Sequence, residues 1–98
     1  MSDQLIETAA VETDAAPRYA KQLASHLGRK AEVVEEDAGT RLVLPFGDCL
    51  LVPGDSALVM TASASDRESL DRVQQVVGSH LERFGQRNEL VVAWQRQS

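Results

Sequence analysis

Three Gly-containing turns, DAGT at 37–40, PFGD at 45–48 and PGDS at 53–56, cut the middle of this 98-residue chain into short pieces. No helix of ordinary length fits between them. The pieces are AEVVEE, TRLVLPF, DCLLVP and SALVMTAS, all carrying Val or Leu, and tight turns between such runs are what antiparallel hairpins require. The stretch from Ala31 to Ser63 therefore reads as a four-strand meander. Alternation assigns its faces: Leu42, Leu44 and Phe46 share one side, as do Leu58, Met60 and Ala62, while Val43 and Val59 point the other way. The first set is the expected core. The second leaves a partly apolar face that a one-layer sheet exposes unless something covers it.

On either side of the meander the apolar period lengthens to that of a helix. In DAAPRYAKQLASHLG, Ala16, Tyr19, Ala20, Leu23 and Leu27 fall on one stripe. Asp14 is the expected N-cap, Pro17 is tolerated in the first turn, and Gly28 is expected to end the helix in a left-handed conformation. In SASDRESLDRVQQVVGSHLERFG, Ser65 and Glu68 have capping-box spacing, Leu70, Val73, Val77, Leu81 and Phe84 form the stripe, and Gly85 is the stop. Gly78 costs about 1 kcal/mol relative to Ala inside a helix, so it is expected to admit a close neighbour.

QLIETAAVET before the first helix and ELVVAWQR after the second read as strands, the latter with Leu90, Val92 and Trp94 on one face. The order is then β-α-β-β-β-β-α-β. This predicts an α+β fold, a two-layer sandwich in which an antiparallel sheet carries two helices on one face, with residues 1–98 as a single domain.

Charge narrows the partners. Ten basic against fifteen acidic residues give a net charge of −5, and the basic residues are spread among acids, whereas phosphate-backbone binding needs concentrated positive charge. Nucleic acid is not an expected partner, although a local basic face is compatible with these numbers. MSDQLIETAA has neither the basic nor the apolar region of a signal peptide, and no run approaches the roughly 18 apolar residues of a membrane span. The expected location is cytoplasmic, without membrane contact. The single cysteine, Cys49, makes no internal disulfide and sits in an apolar strand, where a thiol behaves as a small buried hydrophobe.

The two histidines occur in matching contexts, ASHLGRK at 24–30 and GSHLERF at 78–84. On the helical wheel His80 lies about 20° from Val73 and His26 about 20° from Tyr19, so each borders an apolar stripe. Two readings follow. Either the pair lines a ligand site, with Arg29, Lys30, Arg83 and Arg87 as anion-binding neighbours, or each imidazole packs a helix end and complements the dipole. Helix orientation decides whether they meet. No metal site is expected: zinc takes four ligands, and Cys49 and Glu82, the conceivable additions, have no diagnostic spacing. Arg67, Glu68, Asp71 and Arg72 read as a solvated helix face with i,i+4 pairs. Trp94 reads as a core lid or an interface residue. Phosphate loops, GxGxxG, CxxC and HExxH are absent from the sequence, and no cofactor is expected.

The motifs RYAKQLASHLGRK, LPFGDCLL and LDRVQQVVGSHLERFGQRNELVVAW, taken in this order from about Thr8 to Arg96, resemble a small bacterial family of uncharacterised domains, DUF2218. The resemblance implies a compact domain in which a curved antiparallel sheet supports two helices. It also implies a link to iron acquisition, through similarity to appendages of siderophore-interacting flavoproteins. No catalytic residues come with it. His26, Phe46, Gly47, Cys49, His80, Leu81, Glu82, Arg83, Phe84 and Trp94 are its pattern positions. The expected function is a non-catalytic binding or accessory domain for a small ligand or a protein, with His26, His80, Arg29, Arg83 and Glu82 at the ligand. The alternatives are a homodimerising interaction module using the open sheet face or last strand, and a small enzyme with His80 as base.

Overall fold

The structure, a computed structural model, describes residues 4–86 and 90–96. Strand β1 spans Leu5–Glu12 and helix α1 Ala16–Leu27, followed by β2 (Glu32–Glu35), β3 (Thr40–Leu44), β4 (Gly47–Pro53) and β5 (Ala57–Ala64). Helix α2 covers Arg67–Phe84, and a two-residue strand, β6, Gln95–Arg96, closes the order. All pairings are antiparallel, and the strands lie in the order β2-β3-β4-β5-β1-β6. The meander is as the turns imply, and β1 adds to its far edge along the full length of β5. The α+β sandwich order stands.

Register places the core on one side of the sheet. Leu42 pairs with Cys49 and Cys49 with Ala62, while Leu51 pairs with Met60 and Met60 with Ala9. All six are buried, and they meet the stripe of α1 and the Leu70, Val73, Val77 and Leu81 stripe of α2. The opposite side carries Val43, Leu50, Val52 and Val59, each only partly buried. Arg41, on that same side, reaches Glu36 at 2.7 Å and Asp48 at 3.4 Å.

Small residues decide how closely α2 approaches. Gly47 pairs with Leu44 at the β3–β4 turn, and a Cβ built on it would lie 2.5 Å from the Ser63 carbonyl oxygen, 2.7 Å from Val73 Cγ2 and 3.1 Å from Ala64 Cβ. Glu7, on the helix side of β1, accepts from Arg67 Nη1 at 2.7 Å and from Gln74 Nε2 at 2.5 Å. These contacts hold the first half of α2 over the sheet end where β1 starts.

The hydrogen bond from Arg67, then that from Gln74, lowers the Glu7 carboxyl below its ordinary range. A carboxyl depressed in the folded state stabilises it above the unfolded pKa, and that contribution is lost as pH falls through the folded value. Glu7→Gln is therefore expected to flatten the acid limb of the stability curve below about pH 4.5, as read by urea melts from pH 3 to 7. An acid limb as steep as the wild type's would show the interaction to be idle.

Four expectations are corrected. The N-cap of α2 is Asp66, whose carboxylate accepts from Ser69 N at 2.7 Å, so the Ser65–Glu68 capping box gives way by one residue to a charged acceptor. The N-cap position of α1 is Ala15, with no side-chain cap on the helix; Thr13 Oγ1 accepts from Ala15 N, and Asp14 does not serve. Gly28 is right-handed, at φ −62° and ψ −12°; the chain continues in a turn in which Lys30 N donates to Leu27 O, so no left-handed residue is needed. The last strand shrinks to Gln95–Arg96, paired with Glu7 and Thr8, because Leu90, Val92 and Trp94 pack against the core instead of extending the ladder. Glu89, the first residue of that expected strand, and Arg87 lie outside the described residues.

Gly78 is buried, and a methyl added to it would lie 3.4 Å from Trp94 Nε1 and 3.5 Å from Val92 Cγ1. That spacing is ordinary van der Waals contact. Gly78→Ala is therefore expected to raise stability by about 0.5–1 kcal/mol through helix propensity, measured by urea melts, and a loss above 1 kcal/mol would mean that Trp94 cannot tolerate the methyl. Among the described residues no helix is long and apolar enough to cross a membrane.

Candidate functional site

The last turn of α1 meets the C-terminal half of α2, and there the two histidines come together. Their ring centroids are 4.9 Å apart at an interplanar angle of 47°. Phe84 stands edge-on to His26 at 5.4 Å and lies 6.3 Å from His80. The three rings form one cluster. It arises because His26 and His80 each border the buried stripe of their own helix, and the stripes face one core.

His80 is fixed in place. Its Nδ1 lies 2.5 Å from the Val76 carbonyl oxygen one turn earlier, and because a carbonyl only accepts, Nδ1 carries the proton. In the neutral ring Nε2 is then a free lone pair. His26 is exposed.

Beside the pair is a cavity of about 470 Å³ lined by His26, Leu27, Arg29, Lys30, Leu44, Pro45, Phe46, Val76 and His80. The turn after α1 supplies the two cations, the β3–β4 turn supplies Pro45 and Phe46, and α2 supplies Val76 and His80. Phe46 also carries the Arg72 guanidinium, 4.7 Å from its ring centroid, a contact that holds one wall. Arg72 remains exposed, as expected for that helix face, while stacking on Phe46, and Arg67 pairs with Asp71 at 2.7 Å as its spacing implies.

The other expected site residues separate. Glu82 lies in a groove of about 340 Å³ with Asp71, Gln74, Gly78 and Trp94, where its Oε2 accepts from Val92 N at 3.0 Å. It tethers the segment after α2 and does not line the histidine cavity. Arg83 is exposed in the last turn of α2 and is not among the cavity-lining residues. Cys49 and Leu81 are fully buried in the core and Phe84 is partly buried against it. Burial pushes the Cys49 thiol up to about 12. Gly47 and Phe46 shape the turn.

Sequence reasoning passed over Leu27, Leu44, Pro45 and Val76 as site residues. Val76 had a signal, since it precedes His80 by four positions; Pro45 had none apart from its turn. Among the described residues no group of three or more His, Cys, Asp or Glu side chains is placed to hold a metal ion.

An antiparallel sheet with two helices on one face, and a cavity where their ends meet its hairpin turn, defines a small α+β sandwich domain. The chain belongs to the DUF2218 family, described as uncharacterized protein conserved in bacteria, whose model matches residues 8–95. It is similar to the NMR structure of PA4090 from Pseudomonas aeruginosa, at 31% identity and a TM-score of 0.77, covering 93% of this chain and 95% of that one. No curated protein matches it.

Proposed function

We propose that this is a non-catalytic binding domain whose ligand site is the His26–His80 cavity. The observation that carries the reading is a partly enclosed space of about 470 Å³, within the range of small-ligand pockets, at which histidines from distant parts of the chain converge. Among the described residues its lining holds no carboxylate, thiol or hydroxyl side chain, which favours binding over a reaction using His80 as base, since such a base works with a nucleophile or an orienting acid in the same space.

A connection with iron rests on the resemblance to siderophore-linked appendages. A ferric siderophore brings its own donor atoms, so the lack of a three-ligand cluster among the described residues is compatible with it. The test is an NMR titration following the imidazole signals of His26 and His80 with a mixed set of neutral, cationic and anionic small molecules, then zinc, ferrous iron and a ferric siderophore. Joint shifts of both rings, lost in His80→Ala, are expected for at least one. If every ligand leaves both rings unmoved, the cavity is not a binding site.

A second reading is a homodimer through the uncovered sheet face. Adjacent Val52 and Val59, with Leu50 and Val43 nearby on that face, support it. A concentration-independent monomer in sedimentation removes it.

A further inference from the structure

We propose that the cavity takes an amphipathic organic monoanion, its aliphatic or aryl body against Leu44, Phe46 and Val76 and its carboxylate-type head at Arg29 and Lys30. This rests on the cavity being the ligand site and adds the chemical class of its occupant.

Lining chemistry is the first support. Leu27, Leu44, Pro45, Phe46 and Val76 make the walls apolar, and among the described residues the polar remainder consists of two imidazoles and two cations. An apolar body therefore gains by burial, and a negative head finds the strongest partners in the two cations.

Charge distribution is the second support. From Ala16 to Ala31 there is no Asp or Glu, while Arg18, Lys21, Arg29 and Lys30 all fall there, in a chain whose net charge is −5. Among the described residues none of these four enters an ion pair; the acids that pair do so with Arg41 and Arg67. A more open groove that shares His26 and Arg29 with the cavity also contains Arg18 and Lys21. A helix C-terminus carries only about half a negative charge, so offsetting the α1 dipole accounts for a fraction of this positive field. The excess focuses anions onto the mouth of an apolar cavity.

Volume bounds the occupant. At protein-like packing density, 470 Å³ accommodates on the order of 15–20 non-hydrogen atoms. A medium-chain fatty acid or a bicyclic aryl carboxylate meets that limit, with the head left at the open side.

The experiment is calorimetric and NMR titration of the full chain with butanoate, hexanoate, octanoate and 2-naphthoate. Octan-1-ol, 2-naphthalenemethanol and inorganic phosphate are the controls. Affinity is expected to rise about 4-fold per methylene along the aliphatic series, with His26, His80, Phe46 and Val76 signals moving together. The neutral alcohols and phosphate are expected to bind at least 10-fold more weakly than octanoate. Arg29→Gln/Lys30→Gln and Arg29→Glu/Lys30→Glu, at exposed positions, should weaken octanoate at least 10-fold and leave the alcohols unchanged.

Alcohols binding as tightly as carboxylates would overturn the anionic head while leaving the cavity as a ligand site. Phosphate matching octanoate would overturn the apolar body. Failure of every carboxylate at millimolar concentration overturns the proposal outright; the broader ligand set then decides separately whether the cavity binds anything.

Discussion

Replacing Gly47 with Ala is expected to lower stability by about 1–3 kcal/mol and to spoil the cavity at the same time. The added methyl would sit 2.5 Å from the Ser63 carbonyl oxygen and 2.7 Å from Val73 Cγ2. Backbone on one side and a buried helix side chain on the other leave it no room, so either the β4–β5 ladder or α2 must shift. For a domain of this size each kcal/mol moves the melting temperature by about 4–8 °C, which puts the expected drop near 10 °C. Phe46, next in the turn, forms a cavity wall, so its NMR signals and those of His26 and His80 should change with the melt. An unaltered melting temperature would show that α2 does not rest on Gly47.

The second large effect is confined to alkaline pH. Cys49 is fully buried between Leu42 and Ala62 in the sheet register, and desolvation, followed by the nearby Asp48 charge, pushes its thiol from 9.0 to about 12. Between those values the unfolded chain has lost the thiol proton and the folded chain has kept it, so stability is complete below pH 9 and falls as pH rises. The slope attributable to this group approaches about 1.4 kcal/mol per pH unit.

Cys49→Ala gives up packing, at a cost of about 1 kcal/mol near neutrality, but it also removes the alkaline loss. Urea melts of the two proteins from pH 7 to 11 are expected to cross near pH 10, with the variant the more stable beyond it. Parallel curves would mean that the thiol is solvated in the folded state. A thiol reagent should likewise label the native wild type only through unfolding.

The core was largely legible because burial repeats with a local period. Leu42, Leu44, Phe46, Leu58, Met60 and Ala62 were placed by alternation, and the stripes of both helices by 3.6-residue spacing, and all of these except the partly buried Phe46 and Phe84 lie in the core. Caps were less legible. Ser65 and Asp66 are both competent acceptors at the start of α2, and residue type alone does not choose between them; Asp66 holds the extended N-cap backbone, φ −147° and ψ 170°, and takes the bond from Ser69 N. The last strand misled for a related reason: β-branched residues followed by Trp fit a strand and a core-covering segment equally well, and Trp94 found its place over Gly78.

The site divides in the same way. Sequence alone determined that His26 and His80 border apolar stripes, that α1 and the following turn are free of acids, and that no familiar catalytic or cofactor motif is present. Tertiary structure alone decided that the imidazoles lie 4.9 Å apart, that Leu44, Pro45 and Phe46 wall the space beside them, and that Glu82 looks into a different groove. Periodicity fixes which side of an element is buried, since that depends only on residue spacing along one helix or strand. It does not fix where along the sheet two helices touch. In this chain α2 is seated by the small residues Gly47 and Ala64 and by the Glu7–Arg67 anchor, and Gly47 and Glu7 belong to strands that the sequence keeps far from that helix.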